Sequence, residues 1–199
     1  MTTGLRERKK QATRVALHEA ALRLVAERGL DAVSIDDIAA RADVSPRTFF
    51  NYFSSKDDAV IGLDPEASSG QIERFLARPA DETPLGALRA VSRQQADEMS
   101  EDTELWPLRL TVIDAHPALL ARLAAAFGQS ERALAQAIAE RTGSRFGADA
   151  YPTLLAGVSG VVMRTALHRW YATDFTASLP DLVDEAWASV AAGLPTPRP

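Results

Sequence analysis

Cysteine is absent from this chain, and with it go disulfides, thiolate metal sites and cysteine nucleophiles. Histidine is scarce: His18, His116 and His168 are the only three, and no two stand four apart as a helical metal pair requires. No apolar run reaches the ~18 residues that would span a bilayer, and the N-terminus is polar and basic where a signal peptide would carry an apolar h-region. A G-x-S-x-G elbow and a phosphate-cradling glycine loop are missing as well. Each close carboxylate pair sits at a helix start, where capping accounts for it. These absences predict a cytoplasmic protein with no membrane contact, no metal site, no cofactor and no catalytic residues, hence not an enzyme.

What is present is an ordinary globular balance over 199 residues, 46% hydrophobic and 25% charged, carrying a net charge of −5. The charge is unevenly placed. Residues 1–14 hold Arg6, Arg8, Lys9, Lys10 and Arg14 against Glu7 alone, so the remainder is more acidic than the total suggests. Such asymmetry suits a small nucleic-acid-contacting end on a larger acidic body.

The most informative stretch is SIDDIAARADVSPRTFFNYFSSK, residues 34–56. Ser34 with Asp37 three residues on makes a capping box. Ser45-Pro46 starts a second helix, with proline where no amide donor is needed. Ser55 with Asp58 starts a third. Ala39 to Val44 leaves room only for a sharp helix–helix turn, so residues 34–53 predict a helix-turn-helix whose second helix, 46–53, enters the DNA major groove. Upstream, Leu17, Ala20, Ala21, Leu24 and Val25 keep helical spacing over residues 13–28, and Gly29 stops that helix. Phe49 and Phe53, four apart, should face inward.

Downstream the reading stays helical, with no strand alternation. Pro65 and Ser68-Ser69-Gly70 predict a break, followed by helices over residues 71–77, 85–100, 104–115, 117–141, 150–173 and 180–193, and a frayed tail from residue 194. The fold class is therefore all-α, with about nine helices. The chain divides into residues 1–62, a basic arm and three-helix DNA-binding domain, and residues 63–199, a helical domain to which the family resemblance below assigns ligand binding and dimerisation.

An amphipathic helix ending in Gly29, then SIDDIAARADVS, then PRTFFNYFSSKDDAV, resembles the N-terminal domain of TetR-family transcriptional regulators over residues 12–62. The resemblance implies an all-α homodimer that binds a palindromic double-stranded DNA operator, represses, and releases DNA when a small molecule enters its C-terminal domain. Matching positions imply DNA contacts from Arg47, Thr48, Phe50, Asn51 and Tyr52, with Lys56 on the backbone. Chemistry agrees with this: Arg47 can grip a guanine edge and Asn51 an adenine, Thr48 and Tyr52 suit phosphates or bases, Ser34 and Ser45 sit at helix starts that suit phosphates, and Lys9 and Lys10 lie in the basic arm. Two departures stand out. Phe50 replaces a frequent tyrosine, and Asp43 replaces a frequent turn glycine.

The C-terminal part carries candidates without a motif. Trp106, Arg109, Phe127, Met163, Arg164 and His168 are placed to line a cavity, the arginines suiting a ligand carboxylate or phosphate. TFFNYFSSKDDAV is also similar to a subset of the family that senses fatty ligands, which implies an apolar or acyl-CoA-like effector. Leu154, Leu155, Val158, Val161, Val162 and Ala166 form an apolar band with Gly157 and Gly160, and Leu182, Val183, Ala186, Trp187 and Val190 form a second. The last two helices thus suit a two-fold four-helix interface. The alternative reading is a helical small-molecule-binding or enzymatic domain whose helix-turn-helix makes only protein contacts.

Overall fold

The computed structural model describes residues 3–62, 65–101 and 104–195. Ten α-helices and no strands occur among them, one helix more than the sequence count. In order they are α1 (Thr3–Arg28), α2 (Ile35–Arg41), α3 (Pro46–Phe49), α4 (Lys56–Ile61), α5 (Pro65–Leu76), α6 (Pro84–Glu101), α7 (Leu105–Asp114), α8 (Pro117–Thr142), α9 (Ala150–Ala172) and α10 (Leu179–Ala191). The expected participation of Leu63 in the fourth helix and the tail beyond residue 195 lie outside the described residues. The helices gather into two compact units, residues 1–64 with 104–125, and residues 65–103 with 126–199.

The first unit is built on α1. Leu17, Ala21, Leu24 and Val25 are buried against Ile38 and Ala39 of α2, Phe49 and Phe53, Ala59 to Ile61 of α4, Val112 of α7 and Leu119 of α8. α1 starts at Thr3 and not at residue 13, so the basic run is helical. Residues 5–12 are mostly Leu, Arg, Glu, Lys, Gln and Ala, all strong helix formers, and the Arg8 guanidinium folds back onto the Gly4 carbonyl at 3.1 Å. Each of the three sequence-predicted caps forms. Ser34 Oγ accepts from the Asp37 amide at 3.1 Å while the Asp37 carboxylate accepts from the Ser34 amide at 2.9 Å. Ser45 Oγ accepts from the Thr48 amide and Ser55 Oγ from the Asp58 amide, each at 3.1 Å.

The turn between α2 and α3 rests on Asp43, at φ 54°. The Val44 amide donates to Ala39 and the Asp43 amide to Ala40, the paired closure of a helix that ends through a left-handed residue. Aspartate tolerates that conformation better than most side chains, so the turn forms without glycine.

In the second unit α6 packs against α9 and α10, which also pack on each other. Leu88, Val91, Val183 and Trp187 are fully or almost fully buried there. Arg89 and Arg93 of α6 both donate to Asp184 of α10, the first at 2.8 Å. Burial pushes the Asp184 carboxyl up, but these two guanidinium hydrogen bonds outweigh it and hold the group below its ordinary value. Helix α5 begins at Pro65, where a break had been expected, and the 71–77 helix is its second half. Proline is accepted in a first turn, and burial of Phe75 against α6 outweighs the weak propensities of Ser68, Ser69 and Gly70. The connection from α5 to α6 is held by one side chain. Arg141 Nη1 donates to the carbonyls of Phe75 and Arg78 at 3.1 Å, and Nη2 donates to those of Pro79 and Glu82.

Candidate nucleic-acid interface and effector cleft

In the recognition segment, Phe49 and Phe53 point into the core of the first unit and fix the face that is left outward. Their rings lie 5.9 Å apart, and the Arg14 guanidinium sits 4.9 Å over Phe53. The segment is shorter than expected. α3 ends at Phe49, and residues 50–53 continue as a tight turn in which the Asn51 and Tyr52 amides donate three residues back, to Thr48 and Phe49. Arg47 and Asn51 are exposed and make no side-chain hydrogen bond with a described residue; Phe50 is 57% exposed, its ring edge-on to Phe49 at 5.5 Å. These three form one outward face carrying a guanidinium fork, an amide and an apolar ring, the set needed to read guanine, adenine and a thymine methyl.

The other predicted residues are more occupied. Thr48 is half-buried and shares its hydroxyl with Ser45 Oγ at 2.8 Å. Tyr52 packs partly on the core. The Lys56 ammonium donates to the carbonyls of Leu30 at 2.5 Å and Val33 at 2.8 Å, which ties α4 to the loop after α1. Sequence reasoning missed that role, because two backbone carbonyls in a loop leave no trace in residue types. Ser34 and Ser45 stand exposed at their caps, and Lys9 is exposed on α1 with Lys10 half-buried beside it.

The start of α4 is anchored by Asp58, which is buried at 6% exposure. Arg122 of α8 donates to it twice, from Nε at 2.5 Å and Nη2 at 2.8 Å, and the Ser54 hydroxyl donates as well. Burial pushes the carboxyl up. The hydrogen bonds from Arg122, Ser54 and Ser55 and the Arg122 charge outweigh burial and hold it below the ordinary range.

In the second unit a cleft of about 620 Å³, counting its solvent-open part, lies among α5, α6, α8 and α9. Of the predicted ligand residues it brings together Phe127, Met163 and Arg164. Glu131, Gln95, Ser92 and Ser159 line it too and were missed, since polar residues scattered over three helices carry no spacing signal. Gly157 and Gly160 do not open a face to another helix as expected: a Cβ on either would meet the side chains of Glu131 or Arg164. His168 is exposed on α9 and is not part of the cleft lining.

Trp106 and Arg109 lie on α7 in the first unit. The Arg109 guanidinium stacks 4.3 Å over the Trp106 ring, its Nε is sealed from solvent without a hydrogen-bond partner, and burial pushes it down to about 10. A half-buried guanidinium whose Nε has no acceptor opposes folding, and the Trp106 ring offsets only part of that cost. Arg109→Met is expected to raise stability by about 1–2 kcal/mol in urea unfolding; a loss of stability in the variant would count against that net cost. Because burial holds the folded value below the ordinary guanidinium range, the penalty is full below pH about 10 and is relieved as pH climbs through that value.

Among the described residues no group of three His, Asp or Glu side chains is placed to hold a metal ion, and no single helix is long and apolar enough to cross a membrane.

Comparison with known proteins bears on both units. Residues 17–60 match the family described as bacterial regulatory proteins, tetR family, and residues 82–195 match the MftR C-terminal domain. The HTH-type transcriptional regulator TcmR of Streptomyces glaucescens is 35% identical over 178 residues, which cover 84% of this chain and 77% of TcmR. Two solved structures share the fold. The SmeT–triclosan complex, SmeT being a Stenotrophomonas maltophilia repressor, has a TM-score of 0.62 at 21% identity, with 94% of this chain and 99% of SmeT covered. Thermus thermophilus FadR with lauroyl-CoA has a TM-score of 0.53 at 23% identity, with 94% and 97% covered.

Proposed function

The chain belongs to the TetR family of DNA-binding transcriptional regulators, and from that premise we propose that it is a cytoplasmic, non-enzymatic repressor that binds a palindromic operator as a homodimer and is released by a small molecule. The observation that carries the reading is the outward face of Arg47, Phe50 and Asn51, which the buried Phe49 and Phe53 hold in place. In this reading residues 1–62 read DNA, and residues 63–199 dimerise and bind the effector. Arg47 and Asn51 contact base edges, Phe50 a thymine methyl, and Thr48, Tyr52, Ser34, Ser45 and the remaining N–H of Lys56 the backbone. Lys9 and Lys10 add attraction that does not depend on sequence.

The test is a gel shift on the DNA upstream of the chain's own coding region, with random DNA as control. Arg47→Ala is expected to weaken operator binding about ten- to a hundredfold and random binding little, while Lys9→Ala with Lys10→Ala weakens both and flattens the salt dependence. Failure of the wild type to shift that DNA in low salt would sink the repressor reading. Equal losses on both DNAs for Arg47→Ala would remove its base-reading role.

Dimerisation through α9 and α10 is supported by what α9 leaves uncovered. Leu155, Val162, Ala166, Leu182, Val183 and Trp187 are consumed by the unit's own core, whereas Tyr151, Leu154 and Val161 remain 46%, 65% and 52% exposed at helical spacing, with half-buried Val158 between them. Leu154→Glu is therefore expected to shift the protein from dimer to monomer in sedimentation velocity; an unchanged dimer would place the interface elsewhere.

When the effector enters the α5–α6–α8–α9 cleft it selects a conformation in which the two recognition segments no longer stand ~34–36 Å apart, the spacing of successive major grooves. SmeT is named with triclosan and Thermus thermophilus FadR with lauroyl-CoA. An apolar or acyl-CoA-like effector is accordingly one candidate for Phe127, Met163 and Arg164.

A further inference from the structure

We propose that the effector is amphoteric: an apolar, ring-sized body carrying a cationic hydrogen-bond donor for Glu131 and an anionic acceptor for Arg164. The inference rests on the effector-cleft reading above and narrows it to one chemistry.

Glu131 projects from α8 onto a stretch of α9 that has no side chains. A Cβ at Gly157 would stand 3.2 Å from its Oε1, and a Cβ at Gly160 would stand 4.0 Å from its Oε2. Arg164 Nη1 comes within 3.1 Å of that same Gly160 point. Opposite charges therefore flank one glycine in the cleft, Glu131 half-buried and Arg164 exposed, yet they form no ion pair, and neither is hydrogen-bonded to any described residue. Several other acids and bases of this unit have found partners. Arg74 pairs with Glu98, Arg78 with Glu82, Arg89 with Asp184 and Arg169 with Glu185. Glu131 and Arg164 stand near each other without closing into such a pair.

Glu131 is half-buried, so its carboxylate has given up part of its hydration without gaining a partner. That is an unfavourable state, which a charged donor relieves. Around the pair, Ser92 and Ser159 are buried at 1% and 4% exposure with hydroxyls bonded to no described residue. Phe127, Leu134, Met163 and Leu167 supply apolar wall. A purely aliphatic chain would satisfy those walls and leave the carboxylate dry. A molecule with both charges on a compact apolar body satisfies the floor and the walls together.

The test uses the purified full-length protein and calorimetric titration with three matched probes: naphthylalanine, naphthylethylamine, which lacks the carboxylate, and naphthylpropionate, which lacks the ammonium. Lauroyl-CoA and triclosan serve as apolar comparators. Naphthylalanine is expected to bind at least roughly tenfold more tightly than either single-charge analogue. Glu131→Gln should erase its advantage over naphthylpropionate, and Arg164→Gln should erase its advantage over naphthylethylamine. Neither substitution removes an existing bond, so unfolding midpoints should stay unchanged and report a folded protein. Equal binding of the three probes, absence of binding by all of them, or indifference to Glu131→Gln overturns the proposal. Met163→Trp, which fills the cleft, separates this failure from that of the broader reading. If lauroyl-CoA or triclosan binds and Met163→Trp abolishes it, the cleft remains the effector site and only the amphoteric chemistry falls; if their binding ignores Met163→Trp, the cleft itself is lost.

Discussion

Asp58→Ala is expected to lower folding stability by about 3 kcal/mol, near the low end of what breaking a buried ion pair costs. The carboxylate is 6% exposed and receives two hydrogen bonds from Arg122 and one from Ser54. The alanine variant strands only Arg122, whose side chain is 42% exposed and can rehydrate, which keeps the loss from being larger. The effect should be acid-labile, and in one direction. The folded carboxyl titrates below its ordinary value of 3.8, so its stabilisation is complete above that pH and disappears as pH falls through the folded value. The stability gap between wild type and Asp58→Ala, read from urea midpoints, should be constant from neutral pH to about pH 5 and close below 3.8. A gap that persists unchanged at pH 3 would show that the loss is one of packing and not of the ionised pair. Because α4 follows the recognition segment directly, the same variant should lose operator affinity.

Gly62→Ala is expected to cost about 2–4 kcal/mol, for two separable reasons. Gly62 ends α4 at φ 66°, where any Cβ is strained, which accounts for about 1 kcal/mol. The added carbon would also stand 2.7 Å from His18 Cε1 and 2.9 Å from both ring nitrogens. The imidazole cannot swing aside freely, since its Nδ1–H donates to the Ala59 carbonyl at 2.7 Å. Gly29 supplies the control: it has φ 81° but nothing within 4 Å of its missing Cβ, so Gly29→Ala should show the backbone part alone. In urea unfolding, Gly62→Ala made in a His18→Ala background should cost, relative to His18→Ala alone, only what Gly29→Ala costs in the wild type. If Gly62→Ala and Gly29→Ala already cost the same, the close approach to His18 carries no energy.

The first unit was largely legible because its determinants are local. Ser34, Ser45 and Ser55 each precede the amide they cap by three residues, and Phe49 and Phe53 reveal their inward face by spacing alone. The exposed reading face of Arg47, Phe50 and Asn51 follows from those two rings. Interactions that close over long sequence distances were not legible. Arg122 is 64 residues from Asp58, and the Lys56 ammonium bonds carbonyls, which every residue possesses. The end of α3 was overextended because the shortening after Phe49 is a change in hydrogen-bond register, from four residues back to three, with no compositional sign. In the second unit periodicity gave the helices but not the cleft. Nothing in its spacing singled out Glu131, and only the bare backbone at Gly157 and Gly160 shows where its carboxylate rests. The same glycines suggested a face for a partner helix, since a small residue marks close approach without saying whose atoms approach.

Arg141 differs in kind from the other ties of the second unit. Its partners are four main-chain carbonyls, and its guanidinium lies 5.2 Å over the Phe75 ring. None of these acceptors takes up a proton in acid. The α6–α10 tie through Asp184 is different, because it dissolves once that carboxylate is neutralised. Acidification therefore weakens the polar tie of α10 to α6, while the buried Val183 and Trp187 of α10 remain, and leaves the connection of α5 to α6 strapped to the end of α8.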